Sequence, residues 1–157
     1  MKFSANDLYL SYGENPQVWL HDCVFTIKRD GEDLLFEFPE GFQFQKDGQS
    51  FRCAHGTIRA VKVGEEDVQI FAIRCKWKRE RYCKKSVTIS LEELLEAMGS
   101  YPLENYLEFY SHHEFLWSCS PWGIPHYRRK LGDKVELQVY YDHLEYEISD
   151  EYSPYEG

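Results

Sequence analysis

The chain has 157 residues, of which 43% are hydrophobic and 17% aromatic, and it carries a formal net charge of −9. This length suits one compact domain spanning residues 1–157, and the aromatic content excludes a disordered chain. The acidic balance argues against general coating of nucleic acid, and no apolar run of about 18 residues predicts a membrane span. The five cysteines are odd in number, which favours reduced thiols and a cytoplasmic location.

Alternating apolar and polar residues predict β-strands in the first third of the chain. An Asp-Gly pair at residues 30–31 lies between alternating residues 23–28 and extended residues 34–38. A second Asp-Gly pair, at residues 47–48, divides residues 42–53 in the same way. Because Asp-Gly between two such runs is typical of a tight turn, we expect two hairpins here.

The same pattern continues towards the C-terminus. Apolar positions change parity at Asp142-His143, and a strand cannot change parity without a turn or bulge, so we expect a turn there. We interpret residues 117–123 as a loop with packed tryptophans. We also expect residues 57–63 to pair with residues 68–77. The further predicted strands are residues 57–63, 68–77, 86–90, one or two strands within 106–119, 135–141 and 144–148.

One helix is predicted at residues 91–98. Ser90 and Glu93 have the spacing of a capping box, and Gly99 suits the position after the last turn. The apolar face consists of Leu91, Leu94, Leu95 and Met98. The expected architecture is mainly β, or α+β at the margin: an antiparallel curved sheet or sandwich of roughly eight to ten strands with this short helix.

The strongest charge feature is residues 74–85, which contain seven basic residues and one acid. This stretch carries +6, whereas the rest of the chain carries −15. Three interpretations remain open: a solvated hairpin tip, a protein contact, or a stacking platform for single-stranded nucleic acid. The candidate partner-binding residues are Lys76, Trp77, Lys78, Arg79, Arg81 and Tyr82.

The C-terminal stretch has the opposite sign. Residues 142–157 contain six acids and no lysine or arginine. Such a surface can dock on a basic partner, as an inhibitor imitating a nucleic-acid backbone does; the alternative is an exposed edge strand followed by a frayed acidic tail over residues 150–157. The candidate contact residues are Tyr141, Glu145, Tyr146 and Glu147.

Histidines and cysteines supply the remaining candidate sites. His21-x-Cys23 and Cys53-x-His55 each place two ligand types on one strand face, but structural zinc sites use a different cysteine spacing, so we expect no metal and no cofactor. His112-His113 is a candidate pocket pair, with a polar turn as the alternative.

The segment Leu20-His21-Asp22-Cys23 and the strand, turn and strand that follow it, over residues 19–45, resemble small uncharacterised bacterial proteins, some of them immunity-protein-like. The resemblance implies a bacterial, cytoplasmic, non-enzymatic binding protein of β or α+β type. Only His21 and Asp22 carry over, without an assigned role, and they are candidate pocket residues.

These observations lead us to expect a non-enzymatic binding protein that acts through contact with an unidentified protein partner, as an inhibitor or immunity-type protein does. The alternative is a small-molecule binder or enzyme with an aromatic and histidine-lined pocket. A weaker alternative is nucleic-acid binding through residues 74–85. We expect a monomer or a weak homodimer. A concave pocket holding two histidines and a carboxylate favours the enzyme hypothesis.

Overall fold

The computed structural model describes residues 1–5, 17–121 and 131–156. These residues form fourteen β-strands, one α-helix and a single turn of 3-10 helix at Glu65–Asp67. All pairings between the strands are antiparallel. The predicted mainly β fold with one short helix is therefore confirmed, with more strands than the expected eight to ten.

Two open sheets contain all of these strands. Their bounds are β1 (Lys2–Ala5), β2 (Gln17–Trp19), β3 (Cys23–Asp30), β4 (Asp33–Phe38), β5 (Gln43–Lys46), β6 (Gln49–Cys53), β7 (Gly56–Ala60), β8 (Val68–Lys78), β9 (Arg81–Ile89), β10 (Leu103–Ser111), β11 (Glu114–Ser120), β12 (Lys134–Tyr140), β13 (Leu144–Ile148) and β14 (Tyr152–Pro154). The larger sheet has the order β1-β13-β7-β4-β3-β10-β11-β12-β8-β9, and the smaller sheet has the order β14-β6-β5-β2. Strands β1 and β9 are thus the edges of the larger sheet.

Both predicted Asp-Gly hairpins are present. Strands β3 and β4 pair across the first turn, where Gly31 has a φ of 62°. Strands β5 and β6 pair across the second, where Asp47 and Gly48 both have positive φ, as a mirror-image turn requires. The expected pairing of residues 57–63 with 68–77 is wrong, because β7 lies between β4 and β13 instead. Alternation identifies a strand but does not specify its partner.

The predicted change of parity near the C-terminus is also present. Strand β12 ends at exposed Tyr140, Tyr141 is buried, and β13 then places its first, third and fifth side chains in the core. The predicted loop at residues 117–123 is wrong for its first part, since Trp117 to Ser120 belong to β11. Trp122 and Gly123 lie outside the described residues.

Aromatic side chains fill the centre of the core. The Trp117 ring stacks on Phe115 with centroids 4.1 Å apart and meets Phe36 and Phe25 edge-on at 5.0 and 5.3 Å. All four side chains are fully buried. Truncating such a side chain to alanine costs about 3–5 kcal/mol of stability, so this cluster is the main anchor between β3, β4 and β11.

The helix α1 spans Leu91–Met98, as predicted. Ser90 Oγ accepts a hydrogen bond from the Glu93 amide at 3.1 Å, and the Glu93 carboxylate accepts one from the Ser90 amide at 2.7 Å. Leu94, Ala97 and Met98 are buried, whereas the two other predicted apolar residues pack half-buried against the core. Because α1 follows β9 directly, it fixes the base of that edge strand to the core.

The acidic tail differs from the frayed end expected over residues 150–157. Strand β14 pairs with β6, and the Tyr155 amide donates to the Ser50 carbonyl at 2.9 Å. The Ala54 amide also donates to the Glu151 carbonyl at 2.9 Å. These backbone bonds hold the tail on the smaller sheet although its side chains are exposed.

Candidate functional site

The basic stretch of residues 74–85 folds back on itself as the outer half of the β8–β9 hairpin. Strand β8 ends at Lys78 and β9 begins at Arg81, with Arg79 and Glu80 as a two-residue turn. Both turn residues have positive φ, 46° and 65°, so the turn has the mirror-image form that suits the twist of paired strands. The fold therefore concentrates the seven cations of this stretch at one end of the molecule.

This outer half of the hairpin extends past the hydrophobic core. Ile70 and Ala72, at the base of β8, are buried, whereas Trp77 at the outer end of β8 is 75% exposed. Residues 81–88 of β9 are exposed throughout. The hairpin thus projects into solvent on a base that the core holds in place.

The core-facing side of the hairpin becomes cationic where the core ends. Strand side chains alternate between two faces, and the face that buries Ala72 continues outward with Arg74, Lys76 and Lys78. Their cross-strand partners on β9 are Lys85, Cys83 and Arg81. A concavity of about 410 Å³ lies on this face, with Ala72, Val87 and Ile89 as its apolar floor. We call this surface the inner face of the hairpin.

Gly132 holds the wall of this concavity in place. It bridges to Ile73 and has a φ of 74°, and a Cβ built on it would lie 2.6 Å from the Ile73 carbonyl oxygen. Only glycine fits such an approach in a left-handed conformation. The Asp133 carboxylate accepts a hydrogen bond from the Cys75 amide at 2.8 Å, which further fixes this loop to β8.

Four cations of the hairpin have no carboxylate close to them in the described structure. Within the described part of the chain, no carboxylate oxygen lies within 4.0 Å of the charged nitrogens of Lys76, Lys78, Arg81 or Lys85. By contrast, Lys28 contacts Glu37 at 2.7 Å on the β3–β4 hairpin. The positive charge of these four side chains is therefore available to an external anion.

The opposite, outer face of the hairpin carries the two predicted aromatic residues. Trp77 and Tyr82 are cross-strand neighbours, 75% and 57% exposed, and their rings meet edge-on with centroids 5.6 Å apart. The structure thus brings all six predicted residues of the basic cluster onto one hairpin. Val87, which is 48% exposed, was not among the predicted residues, although its position two residues after Lys85 places both on the same strand face.

The four residues of the predicted acidic docking surface differ in exposure, and burial excludes two of them. Glu145 and Glu147 are exposed on β13, but Tyr141 and Tyr146 are 4% and 2% exposed and cannot contact a partner. Their parity matches the core positions of the neighbouring strands, and Tyr146 stacks on the ring of Phe3 at 4.4 Å.

Basic side chains of the chain itself lie beside these two acids. Lys2 Nζ lies 3.5 Å from Glu147, and His143 Nε2 lies 3.2 Å from Glu145. The negative charge of this face is therefore partly compensated, unlike the positive charge of Lys76, Lys78, Arg81 and Lys85.

His21 and Asp22 form a small exposed pair before β3. Their side chains contact each other at 2.9 Å, and Asp22 has a φ of 58° while its amide donates to the Asn105 carbonyl at 2.7 Å. They line an open depression of about 540 Å³ together with Arg52 and Tyr155. His21 is the only histidine among the residues that line this depression.

His112 and His113 form the turn between β10 and β11. Their ring centroids are 3.9 Å apart, His113 has a φ of 59°, and its Nδ1 lies 2.6 Å from the Asp142 carbonyl oxygen. The pair does not line the depression beside His21. This arrangement matches the polar turn rather than a histidine-lined pocket.

The four-residue zinc arrangement does not form. Cys23 and Cys53 are buried, and burial raises the pKa of Cys23 to about 12 and the pKa of Cys53 above its usual value. The Cys53 thiol exchanges hydrogen bonds with the Phe42 backbone at 3.4 Å, and His55 is exposed because β6 ends at Cys53. In the parts of the chain that the structure describes, no three His, Cys, Asp or Glu side chains lie close enough to hold an ion.

A half-buried polar network on β10 has no signal in the sequence pattern. Glu108 accepts hydrogen bonds from the Tyr110 hydroxyl at 2.6 Å and from the Leu20 amide at 3.0 Å, and Trp117 Nε1 donates to the Tyr110 hydroxyl at 3.0 Å. Burial raises the pKa of both Glu108 and Tyr110. The network ties the segment before β3 to β10, which is a structural role.

Comparison with known protein families, curated proteins and solved structures finds no match to this chain. The resemblance of residues 19–45 to immunity-type proteins therefore stays a prediction. Across the described ranges, no helix has the length and hydrophobicity that crossing a bilayer requires.

Proposed function

We propose that this chain is a non-enzymatic binding protein that docks on an acidic surface of a protein partner through the β8–β9 hairpin. The observation that carries the proposal is the cationic inner face of the hairpin, where Lys76, Lys78, Arg81 and Lys85 have no carboxylate within 4.0 Å in the described structure. Action as an inhibitor or immunity-type protein belongs to the same proposal, since blocking a partner requires contact alone.

The charge layout supports steered association. A local charge of +6 on a chain of net charge −9 gives the molecule a strong dipole directed along the hairpin. Such a dipole orients an acidic partner before contact and raises the association rate. The effect extends about one Debye length, roughly 8 Å at physiological salt, and therefore falls as salt is added.

Nucleic-acid binding is the second candidate, and the exposed Trp77–Tyr82 pair is the observation that favours it. However, the aromatic rings lie on the outer face while Lys76, Lys78 and Arg81 lie on the inner face. A single strand that stacks on the rings therefore lies on the face opposite those three cations. The charge of −15 on the rest of the chain opposes a polyanion further.

The pocket hypothesis has less support. The depression beside His21 holds one histidine and one carboxylate, whereas acid–base chemistry with two histidines requires a second imidazole in reach. The other candidate histidines, His112 and His113, form a turn elsewhere on the sheet.

Charge reversal tests the proposal. The test variant is Lys76→Glu, Lys78→Glu and Arg81→Glu; the control variant is Lys28→Glu, Lys46→Glu and Lys62→Glu, which changes the net charge equally at exposed positions elsewhere. The wild-type protein captures its partner from a lysate of the source cell, and association rates with the identified partner are then measured between about 50 and 500 mM salt.

We expect the hairpin variant to associate about tenfold more slowly at low salt, and the deficit to shrink as salt rises. The control variant should differ little from the wild type. Equal slowing of both variants would mean that only net charge matters, and no slowing of either would refute the proposal. Retention of a single-stranded oligonucleotide by the wild type and not by Trp77→Ala would favour the second candidate.

A further inference from the structure

The outer edge of the larger sheet is a long strand whose far side is not covered by any described strand. Strand β9 has nine residues and pairs with β8 only; no described strand lies on its other side. The opposite edge, β1, has four residues. An unpaired edge presents a row of backbone N–H and C=O groups that another extended chain can join.

The side chains of β9 oppose pairing with a second copy. If two β9 strands met in antiparallel register around Lys84 and Lys85, these lysines would face each other, and like charges directly opposite each other are destabilising. The same lysines attract a strand that carries acids at the matching positions. In this register the edge therefore disfavours a second copy and favours an acidic strand.

We propose that an extended acidic segment of the protein partner adds to β9 as an eleventh strand of the larger sheet. This inference rests on the proposed function, because it specifies how the acidic partner engages the same hairpin. We infer an acidic segment because its charge would complement the cations along β9; the apolar floor by itself would not select for charge.

The pattern of β9 specifies the segment further. Its inner face presents, in order, Arg81, Cys83, Lys85, Val87 and Ile89. A neighbouring strand should therefore carry acids opposite the two cations and apolar residues opposite the two aliphatic side chains. On the outer face, Tyr82 favours an aromatic neighbour and Lys84 an acid. The 410 Å³ concavity lies on this same inner face, beside the open edge of β9.

A designed peptide serves as the probe. For antiparallel addition its sequence is Val-Thr-Val-Thr-Glu-Glu-Val-Tyr-Glu, and the reversed sequence serves for parallel addition. Each peptide carries fluorescein for anisotropy measurements with the full-length protein. Two further versions carry N-methyl groups, one version on the odd-numbered residues and the other on the even-numbered residues. Only one of these two sets, or phases, donates its amides to β9 in strand addition.

We expect one of the two orders to bind and to slow hydrogen exchange of amides in residues 81–89. One N-methylated phase should bind about tenfold more weakly and the other about as well as the parent peptide, since strand addition uses alternate amides. Equal binding of both phases would overturn strand addition and leave simple charge attraction, in which case the proposed function stands. The absence of binding by both orders would also overturn it.

A charge swap tests the register. Lys85→Glu should lower the affinity of the protein for the acidic peptide about tenfold. A second peptide, with lysine at the central position opposite residue 85, should restore the affinity for that variant. The matched control is Lys76→Glu, because Lys76 lies on β8, away from the open edge. The peptide with the central lysine should not restore binding to this control variant. Rescue of both variants alike would refute the register. A concentration-dependent dimer that protects residues 81–89 without peptide would assign the edge to a second copy and refute the proposal.

Discussion

Trp77 and Tyr82 face each other across the outer end of the β8–β9 hairpin, with ring centroids 5.6 Å apart and planes inclined at 63°. Both rings lie largely in solvent, on the face opposite the inner lysines. The pair therefore supports the projecting hairpin from one side while the other side stays open for a ligand. Edge-to-face pairs of this kind contribute beyond the area they bury.

We predict that this pair stabilises the hairpin measurably. In a double-mutant cycle with Trp77→Ala and Tyr82→Ala, the coupling in the free energy of unfolding should be about 0.5 kcal/mol, at the lower end for aromatic pairs because both rings are exposed. Urea unfolding of the four proteins measures it. A coupling of zero would show that the two rings act independently in the fold.

The helix cap gives a second prediction. Ser90→Ala should lower the free energy of unfolding by about 1 kcal/mol, because the Glu93 amide loses its acceptor. Ser90→Thr keeps the hydroxyl and should lose far less. If Ser90→Ala and Ser90→Thr have the same stability in urea unfolding, the capping box does not hold α1.

Local features of the fold followed from sequence because local patterns specify them. Alternation located β3 and β12, Asp-Gly pairs located two turns, and the Ser90 cap with its apolar period located α1. The pairing of β7 could not be predicted, because its neighbours β4 and β13 are distant in sequence and alternation does not specify which strands pair.

The candidate site was predictable in composition but not in geometry. The run of basic residues at 74–85 identified the cations and the two aromatic residues of the hairpin. Only the cross-strand register places Lys85 and Val87 on the inner face with Lys76. Tyr146 shows the converse: its acidic neighbours suggested exposure, while its parity with Leu144 and Ile148 sends it into the core.

A buried amide gives a third prediction. Asn105 is fully buried, neither atom of its side-chain amide has a hydrogen-bond partner in the described structure, and its cross-strand neighbours are Cys23 and Cys119. An unpaired buried polar group costs free energy, so Asn105→Leu, of similar size, should raise the free energy of unfolding by about 1–3 kcal/mol.

Asn105→Asp is the matched variant, and it should be strongly destabilising because it buries a charge. Urea unfolding at neutral pH measures both variants. If Asn105→Leu is less stable than the wild type, the amide has a polar contact, such as an internal water, that offsets its burial.

His143 gives a pH prediction. Hydrogen bonding to Asp142 raises the pKa of His143, with Glu145 adding to the effect, while Lys62 and His113 lie near Asp142. Because the folded-state pKa lies above the unfolded value of about 6.5, the stabilisation is complete below about pH 6.5 and disappears as the pH rises through the folded value.

The stability difference between wild type and His143→Gln should therefore be larger at about pH 5.5 than at about pH 8.5. His55→Gln, which replaces an exposed histidine without an ion pair in the described residues, is the control for the loss of an imidazole. A difference that grows with pH would contradict the ion pairs of His143.

The five cysteines separate into two reactivity classes. Cys83 is exposed and Cys75 half-buried on the hairpin, whereas the other three are buried. Burial raises the pKa of Cys23 to about 12 and the pKa of Cys53 and Cys119 above their usual values, so these three thiols are protonated and shielded at neutral pH. In native protein at about pH 8, iodoacetamide should therefore alkylate two thiols, each thiolate displacing one iodide.

Intact-mass measurement over time tests this, and a Cys75→Ser, Cys83→Ser variant is the matched control. The wild type should reach two adducts and then react further only at the rate of unfolding, while the variant should take up none in the same time. Both should react at all remaining cysteines in urea. Rapid modification of Cys119 in the folded protein would contradict its burial in the larger sheet. Rapid modification of only one hairpin thiol would show that Cys75 is shielded from the reagent.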